Sequence, residues 1–435
     1  MSENPIAVVI LAAGKGTRMH SQKPKVLHEI GHKPMLSHVI DTAKALNPTK
    51  IVTVIGPDMP EVEALLQGNT DIAVQTERLG TGHAFAQSLP ALEDFEGTVI
   101  VLYGDVPLIG EKTLRRLLTV HQSIEQPQVT VLGMTPPDPF GFGRLILNEQ
   151  GALIDIVEEK DASDAQRQIP YCNSGVMAMR SYGLKELCDK LSNDNVQGEY
   201  YLVDVIRHAV EDGHICAHHP ANYAELMGVN DRLQLSQVES VFQSRQRIKF
   251  LDAGVTFQDP TTVYFSHDTD IAADVVIEPN VFFGTGVTIE TGAKIKAFSH
   301  LEGVRVCKGA RIGPFARLRP GSEIGEQAEV GNFSEINRST LAPKAKCKHI
   351  SYIGDTTISD AANIGAATIV CNYDGQNKHK THIGEGAFIG SNSTLVAPVN
   401  IGNSAYIAAG SVITKDVQSG KLAFGRARQT EKDKT

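Results

Sequence analysis

The chain has 435 residues, room for about two or three domains, and 41% of them are hydrophobic, as in an ordinary soluble globular protein. A formal net charge of -9 argues against bulk binding to nucleic acid, and no run is apolar and long enough to span a bilayer. The six cysteines are scattered without a C-x-x-C pair, and no basic stretch followed by an apolar one opens the chain, so a cytoplasmic protein with reduced thiols is expected.

Residues 1–228 alternate strand-like apolar runs with helical stretches. Ile51–Ile55, Val99–Tyr103 and Val129–Met134 read as buried strands, and Leu36–Leu46 and Leu114–His121 as helices. That alternation predicts an α/β domain with a mostly parallel sheet, whose ligands sit beyond the carboxyl ends of the strands. The first run, Ala7–Leu11, turns abruptly into Ala12-Ala13-Gly14-Lys15-Gly16-Thr17-Arg18-Met19. Glycines let backbone amides approach an anion, and Lys15, Arg18 and Lys25 offer the local positive charge that a polyanionic substrate needs on an acidic protein. Neither the dinucleotide fingerprint nor the P-loop pattern fits this loop.

Further along, Gln75 precedes the loop Leu79-Gly80-Thr81-Gly82-His83, and a glutamine amide can both donate to and accept from a pyrimidine edge. The run Val99–Gly104 ends in Asp105, a carboxylate well placed to hold Mg²⁺. Leu233, Leu235, Val238, Val241, Phe242, Ile248 and Leu251 recur near helical spacing, which predicts one connecting helix across 229–253 with a core or interface stripe.

Residues 254–435 change character. Aliphatics or Phe recur every sixth residue: Ile271, Ile277, Phe283, Ile289, Ile295 and Leu301, then Val306, Ile312, Leu318, Ile324, Val330 and Ile336, and later Ile383 to Ile413. A hexapeptide repeat of this kind predicts a parallel β-helix with the aliphatics pointing into its axis. The stretch Val370–His382 interrupts the repeat with Cys371-Asn372-Tyr373-Asp374-Gly375-Gln376-Asn377-Lys378, and long excursions from a regular scaffold are often functional.

The string Leu11 to Met19 followed by Lys23-Pro24-Lys25 resembles the signature loop of the sugar-nucleotide pyrophosphorylases. The later matches resemble the bifunctional branch of that family, which serves bacterial cell-wall precursor synthesis. Those enzymes acetylate glucosamine-1-phosphate with acetyl-CoA and then join N-acetylglucosamine-1-phosphate to UTP, releasing pyrophosphate. The resemblance implies a Rossmann-like nucleotidyltransferase domain, a left-handed β-helix and a homotrimer with acetyltransferase sites between subunits.

It also implies roles. Arg18 and Lys25 act in uridylyl transfer, and Asp105 with Asn230 holds Mg²⁺. Leu11, Ala12, Ala13, Gly14, Gln75, Gly80, Thr81, Tyr103, Gly104, Gly143, Glu158 and Asn173 bind the nucleotide sugar. His349 is the general base of acetyl transfer, a task that suits an imidazole. Arg319, Asn337, Tyr352 and Asn363 bind the amino-sugar phosphate, and Ala366, Asn372, Tyr373, Ser391, Ala409 and Arg426 lie near acetyl-CoA.

Three positions depart from the family pattern. Asn337 replaces a phosphate-binding Lys, and if the segment is extended the following Arg338 points to the opposite face. Lys348 precedes the His and its charge disfavours imidazolium, and Ala367 adds a methyl where the family has Gly. The alternative reading is a uridylyltransferase whose β-helix is only a trimerisation scaffold.

Overall fold

A computed structural model describes residues 4–123 and 125–434. The chain divides into two compact units, Met1–Phe242 and Gln243–Thr435, and the division falls within the helix Arg232–Asp252.

The first unit is built on one sheet. Its strands run in the spatial order Cys216–Pro220, Val129–Met134, Cys172–Arg180, Thr98–Tyr103, Ile6–Leu11, Lys50–Ile55 and Asp71–Val74. The four strands from Thr98–Tyr103 to Asp71–Val74 pair in parallel. Cys172–Arg180 runs antiparallel to both its neighbours, while the other pairs along this order are parallel, so the sheet is mostly parallel as the alternation predicts, with one reversed strand. Every residue of Ala7–Leu11 is buried, with Ala7, Val9 and Leu11 in the core on one face and Val8 and Ile10 in the core on the other. Burial on both faces is why this strand reads as a continuous apolar run. In the helix Arg232–Asp252, Val238 and Phe242 pack with Met19, Ile30 and Met35 of this unit. Leu233 stands 69% exposed, so the apolar stripe does not extend to the helix start.

The second unit is a parallel β-helix. Three ladders of short strands rise along it, each joining a residue to its counterpart one coil later. On one face Ile277, Ile295, Ile312, Val330, Cys347, Ile364, Ile389 and Ile407 stack in register. All the six-residue positions named above are at most 6% exposed. The repeat also runs through 341–370, where Leu341, Cys347, Ile353, Ile358, Ile364 and Val370 fill the axis. Phe250 packs into this core, whereas Ile248 and Leu251 are exposed, so the rest of the predicted helical stripe is solvated.

Two of the strands are longer than the others. Glu329–Asn337 and Lys346–Gly354 each continue for nine residues through one corner of the prism. They pair residue for residue, Asn332 with His349 and Glu335 with Tyr352.

Candidate active sites

In the first unit a cleft of about 310 Å³ opens at the carboxyl ends of the strands. Leu11, Ala12, Ala13, Gly14, Lys25, Gln75, Gly80, Thr81, Tyr103 and Asp105 line it, residues brought from five stretches of chain. Gly16 is left-handed at φ 63, and a Cβ there would stand 2.5 Å from the Lys25 Cβ. Only glycine lets the loop fold down onto Lys25 in this way.

The Lys25 ammonium donates to Asp105 Oδ2 and, at 3.1 Å, to Asn230 Oδ1. Two backbone links hold that group in place: Val229 N donates to Asp105 O at 3.0 Å, and Asn230 N to Gln234 Oε1 at 2.7 Å. Gln75 is buried, and its amide donates to Gly80 O at 3.0 Å. Its side-chain oxygen makes no hydrogen bond within the described residues and can receive an N–H from a base.

Arg18 is exposed on a short helical turn and does not line the cleft. Arg78, which was not anticipated, does line it; its Nε donates to Ala13 O at 2.7 Å, and it also pairs with Asp58. The available signal was a cation two residues before Gly80.

The residues expected on the sugar side, Gly143, Glu158 and Asn173, lie together. Asn173 N donates to Gly143 O at 2.8 Å, and Glu158 Oε1 lies 3.0 Å from where a Cβ on Gly143 would stand. Glu158 borders a polar cleft of about 370 Å³ that also holds Asp161 and Asp204. Burial, then these two carboxylates, push its carboxyl up to about 7, against the pull of Arg144. Arg144 is itself buried; it pairs with Glu159 and donates to Ile169 O and Arg167 O, fastening the segment that carries Glu158.

In the second unit the corner after the first face repeats coil by coil. Phe333, Ile350, Ala367, Asn392 and Gly410 are all left-handed there. The residues just before them are therefore corner equivalents: Asn332, His349, Ala366, Ser391 and Ala409. Coil-to-coil bonds confirm the stacking, with Ala367 N donating to His349 O, Asn392 N to Ala366 O and Gly410 N to Ser391 O. The predicted base and three of the predicted acetyl-CoA residues thus form one column. Arg426 reaches it too, with its Cδ 4.0 Å from where a Cβ on Gly410 would stand.

The residues expected to bind the amino-sugar phosphate flank this corner. Tyr352 is in register with Glu335 and Arg317 on one face, and Asn363 with Lys346 on the adjoining face. Arg319 pairs with Glu335 at 2.8 Å, and Asn337 Nδ2 donates to Tyr352 Oη at 3.4 Å.

Arg338 does not point away. Its φ of 48 breaks the extended course after Asn337, and its guanidinium comes back to donate to Asn337 Oδ1 at 3.1 Å. The same guanidinium grips Asp355 through two bonds of 2.7 and 2.8 Å, and Asn372 donates to Asp355 as well. Those bonds hold the Asp355 carboxyl below its usual range, Arg338 contributing most. Lys348 spends its charge on Glu329 at 2.9 Å rather than on His349.

The excursion from Asn372 is tied from within. Asp374 accepts from Gln376 N, Asn377 N and His379 Nε2, which together hold its carboxyl well below the usual range.

Residues 8–162 match the model of the MobA-like NTP transferase domain, and residues 380–415 that of the bacterial transferase hexapeptide, six repeats. The bifunctional protein GlmU of Paramagnetospirillum magneticum is 49% identical over 99% of this chain and 96% of its own length. The GlmU proteins of Rhizorhabdus wittichii and Novosphingobium aromaticivorans are 52% and 50% identical, over 99% and 98% of this chain and 95% of each of their own lengths. The chain belongs to the bifunctional GlmU family. It is a transferase with a nucleotidyltransferase part and a hexapeptide acyltransferase part. No helix among its described residues is long and apolar enough to cross a membrane.

Proposed function

We propose that the chain makes UDP-N-acetylglucosamine in two steps, one in each unit. The hexapeptide unit moves an acetyl group from acetyl-CoA to the amine of glucosamine-1-phosphate. The N-terminal unit then lets the phosphate of N-acetylglucosamine-1-phosphate attack the α-phosphorus of UTP, and pyrophosphate leaves. The observation that carries this reading is the convergence of Gly14, Lys25, Gln75, Thr81 and Asp105 on one cleft beyond the strand ends.

In that cleft the attacking phosphate is already ionised, so no general base is required, and positioning and charge neutralisation do the work. Lys25 holds the sugar-side phosphate, and Arg18, from the adjoining turn, stabilises the leaving pyrophosphate. Gln75 and the Gly80–Thr81 amides read the uracil, while Glu158 and Asn173 hold the sugar hydroxyls and acetamide.

The donor set fits Mg²⁺. Asp105 and Asn230 already converge two oxygens on the positive charge of Lys25, and one carboxylate with one amide suits a hard cation that keeps water and phosphate as further ligands. Bound there, the metal would offset the repulsion between phosphates.

At the second site His349 takes the proton of the amine as its nitrogen attacks the thioester carbonyl. Ala366, Ser391 and Ala409 leave the column beside it low enough for the thioester arm, and Asn372, Tyr373 and Arg426 flank the acetyl-CoA. This column favours catalysis over the scaffold-only alternative. Phe298, Phe315, Phe333 and Ile350, exposed in a row with rings stacked 4.9 and 5.1 Å apart, support association of copies into a homotrimer. The six unpaired cysteines suit a cytoplasmic enzyme.

Purified protein given N-acetylglucosamine-1-phosphate, UTP and Mg²⁺ releases pyrophosphate, and given glucosamine-1-phosphate and acetyl-CoA releases free thiol. Absence of the second activity alone returns the scaffold-only reading.

A further inference from the structure

We infer that Asn332 is a positioning residue for His349: its side-chain oxygen holds the imidazole in the Nδ1–H tautomer and leaves Nε2 with the lone pair that receives the amine proton. The inference rests on the reading of His349 as the general base.

The backbone sets the pair up. Asn332 and His349 are direct partners across parallel strands, and each immediately precedes a left-handed residue at the corner. In-register neighbours lie about 4.8 Å apart with side chains turned the same way. A ladder running from Glu329–Lys346 to Asn337–Gly354 fixes the register of the two coils, and their backbones approach so closely that a Cβ on Gly331 would fall 1.8 Å from Lys348 O. The His349 carbonyl is fixed on its other side by Ser351 Oγ at 2.8 Å.

From that placement Asn332 Oδ1 lies 3.2 Å from His349 Nδ1. An amide oxygen only accepts, so Nδ1 carries the hydrogen, and a neutral imidazole then keeps its lone pair on Nε2. On the opposite side of His349 the corner position is Ala366, which offers the ring no side-chain hydrogen bond. The neighbouring ammonium of Lys348 is turned to Glu329 and does not draw on Asn332. Asn332 is therefore the side chain that decides the tautomer.

The chemistry needs that choice. As the amine nitrogen bonds to the thioester carbonyl carbon, its proton passes to Nε2 while Nδ1–H stays on Asn332. When the carbon–sulfur bond breaks, the sulfur leaves with its electron pair, and the proton on Nε2 is the one available to it. With the hydrogen on Nε2 instead, the nitrogen facing the substrate could take no proton.

The test uses full-length protein labelled with ¹⁵N in histidine, with His349→Ala to assign the ring. The expected result is an Nδ1–H imidazole at His349 in the wild type and a mixture with Nε2–H in Asn332→Ala. In the same variant kcat for acetyl transfer falls about tenfold, the equivalent of one net hydrogen bond, while KM for both substrates and uridylyl transfer hold. Asn332→Asp, which keeps an acceptor, restores the Nδ1–H signal and most of kcat. An Nε2–H ring in the wild type, or an unchanged ring and kcat in Asn332→Ala, overturns the inference. If His349→Ala still transfers acetyl at the wild-type rate, the general-base reading fails instead, whatever the ring nitrogens show.

Discussion

Lys25 and Asp105 are 80 positions apart in the chain, yet the ammonium of one rests on the carboxylate of the other. The contact joins the short helical turn Lys25–Leu27, onto which the glycine loop folds, to the end of the strand beside the first, and Asn230 closes it from a third stretch. An internal cation thus occupies the two oxygens proposed to hold the metal. Removing it with Lys25→Met should leave those oxygens free. Titration calorimetry with Mn²⁺ and no nucleotide should then show tighter metal binding than in the wild type, even though uridylyl transfer collapses. Equal affinity in the two proteins would mean that Lys25 and the metal do not share these oxygens.

The complementary change acts on the other partner. Asp105→Ala should lower uridylyl transfer by roughly 10²–10³-fold, the usual scale for a group stabilising charge in the transition state. Acetyl transfer should stay within about twofold, because the column around His349 is built wholly from the second compact unit. Parallel loss of both activities in a folded variant would contradict two separate sites.

These sites were legible in the sequence to different depths. The cleft could be read because strand ends are marked by abrupt changes from apolar to polar, as at Leu11, Val74 and Tyr103. The prism could be read because each aliphatic has the same surroundings as the one a coil earlier. The coils through 341–370 escape a six-residue count, since Cys347 stands where an aliphatic is expected and the step from Ile336 to Leu341 is five residues. The antiparallel strand Cys172–Arg180 looks no different from its parallel neighbours, as direction leaves no mark on an apolar run. The contacts of Asn332 and Arg338 leave no mark in the sequence: the first depends on the register between two coils, and the second on a left-handed turn at an ordinary residue.

Ala367 is one such position. It is left-handed at φ 59, a conformation that costs an L-residue with a Cβ about 1–2 kcal/mol. Ala367→Gly should relieve that strain, and part of the gain is offset by the greater freedom of glycine in the unfolded chain. Urea unfolding should show a net gain below about 1 kcal/mol, with the midpoint raised and the slope unchanged. A loss of stability would show that the alanine methyl packs usefully at this corner.

Glu158 provides a pH signature. Its carboxyl is raised to about 7, first by burial and then by Asp161 and Asp204, from an ordinary value of 4.5. A folded acid with a raised pKa holds its proton longer than the unfolded one, so the fold loses stability as pH climbs from about 4.5 toward 7. Glu158→Gln should abolish that decline, and thermal melts at pH 5.5 and pH 8 should lie closer together than in the wild type. If the carboxylate also accepts from sugar hydroxyls, KM for N-acetylglucosamine-1-phosphate should rise below pH 7 in the wild type and be flat in the variant.

Arg338 supplies the last prediction. The proposed phosphate site for glucosamine-1-phosphate lies beside Asn337 and calls for a cation. The turn at Arg338 brings a guanidinium to 3.1 Å from Asn337 Oδ1, so the charge is present although the residue type at Asn337 is neutral. Asp355 takes Nε and Nη2, yet a guanidinium has five N–H donors, and Nη1 stays on the Asn337 side. Arg338→Met should therefore raise KM for glucosamine-1-phosphate by roughly ten- to a hundredfold. That range follows from about 1.5–3 kcal/mol for a charge-assisted hydrogen bond at 1.4 kcal/mol per decade. KM for acetyl-CoA should not move. Asn337→Lys alone should bring little, because a second cation would crowd the first in a site where Asn337 is 5% exposed. In the Arg338→Met background the same Asn337→Lys change should restore binding. If Arg338→Met leaves KM unchanged, the guanidinium serves only to pin Asp355 and the Asn372 loop, and the phosphate charge comes from elsewhere.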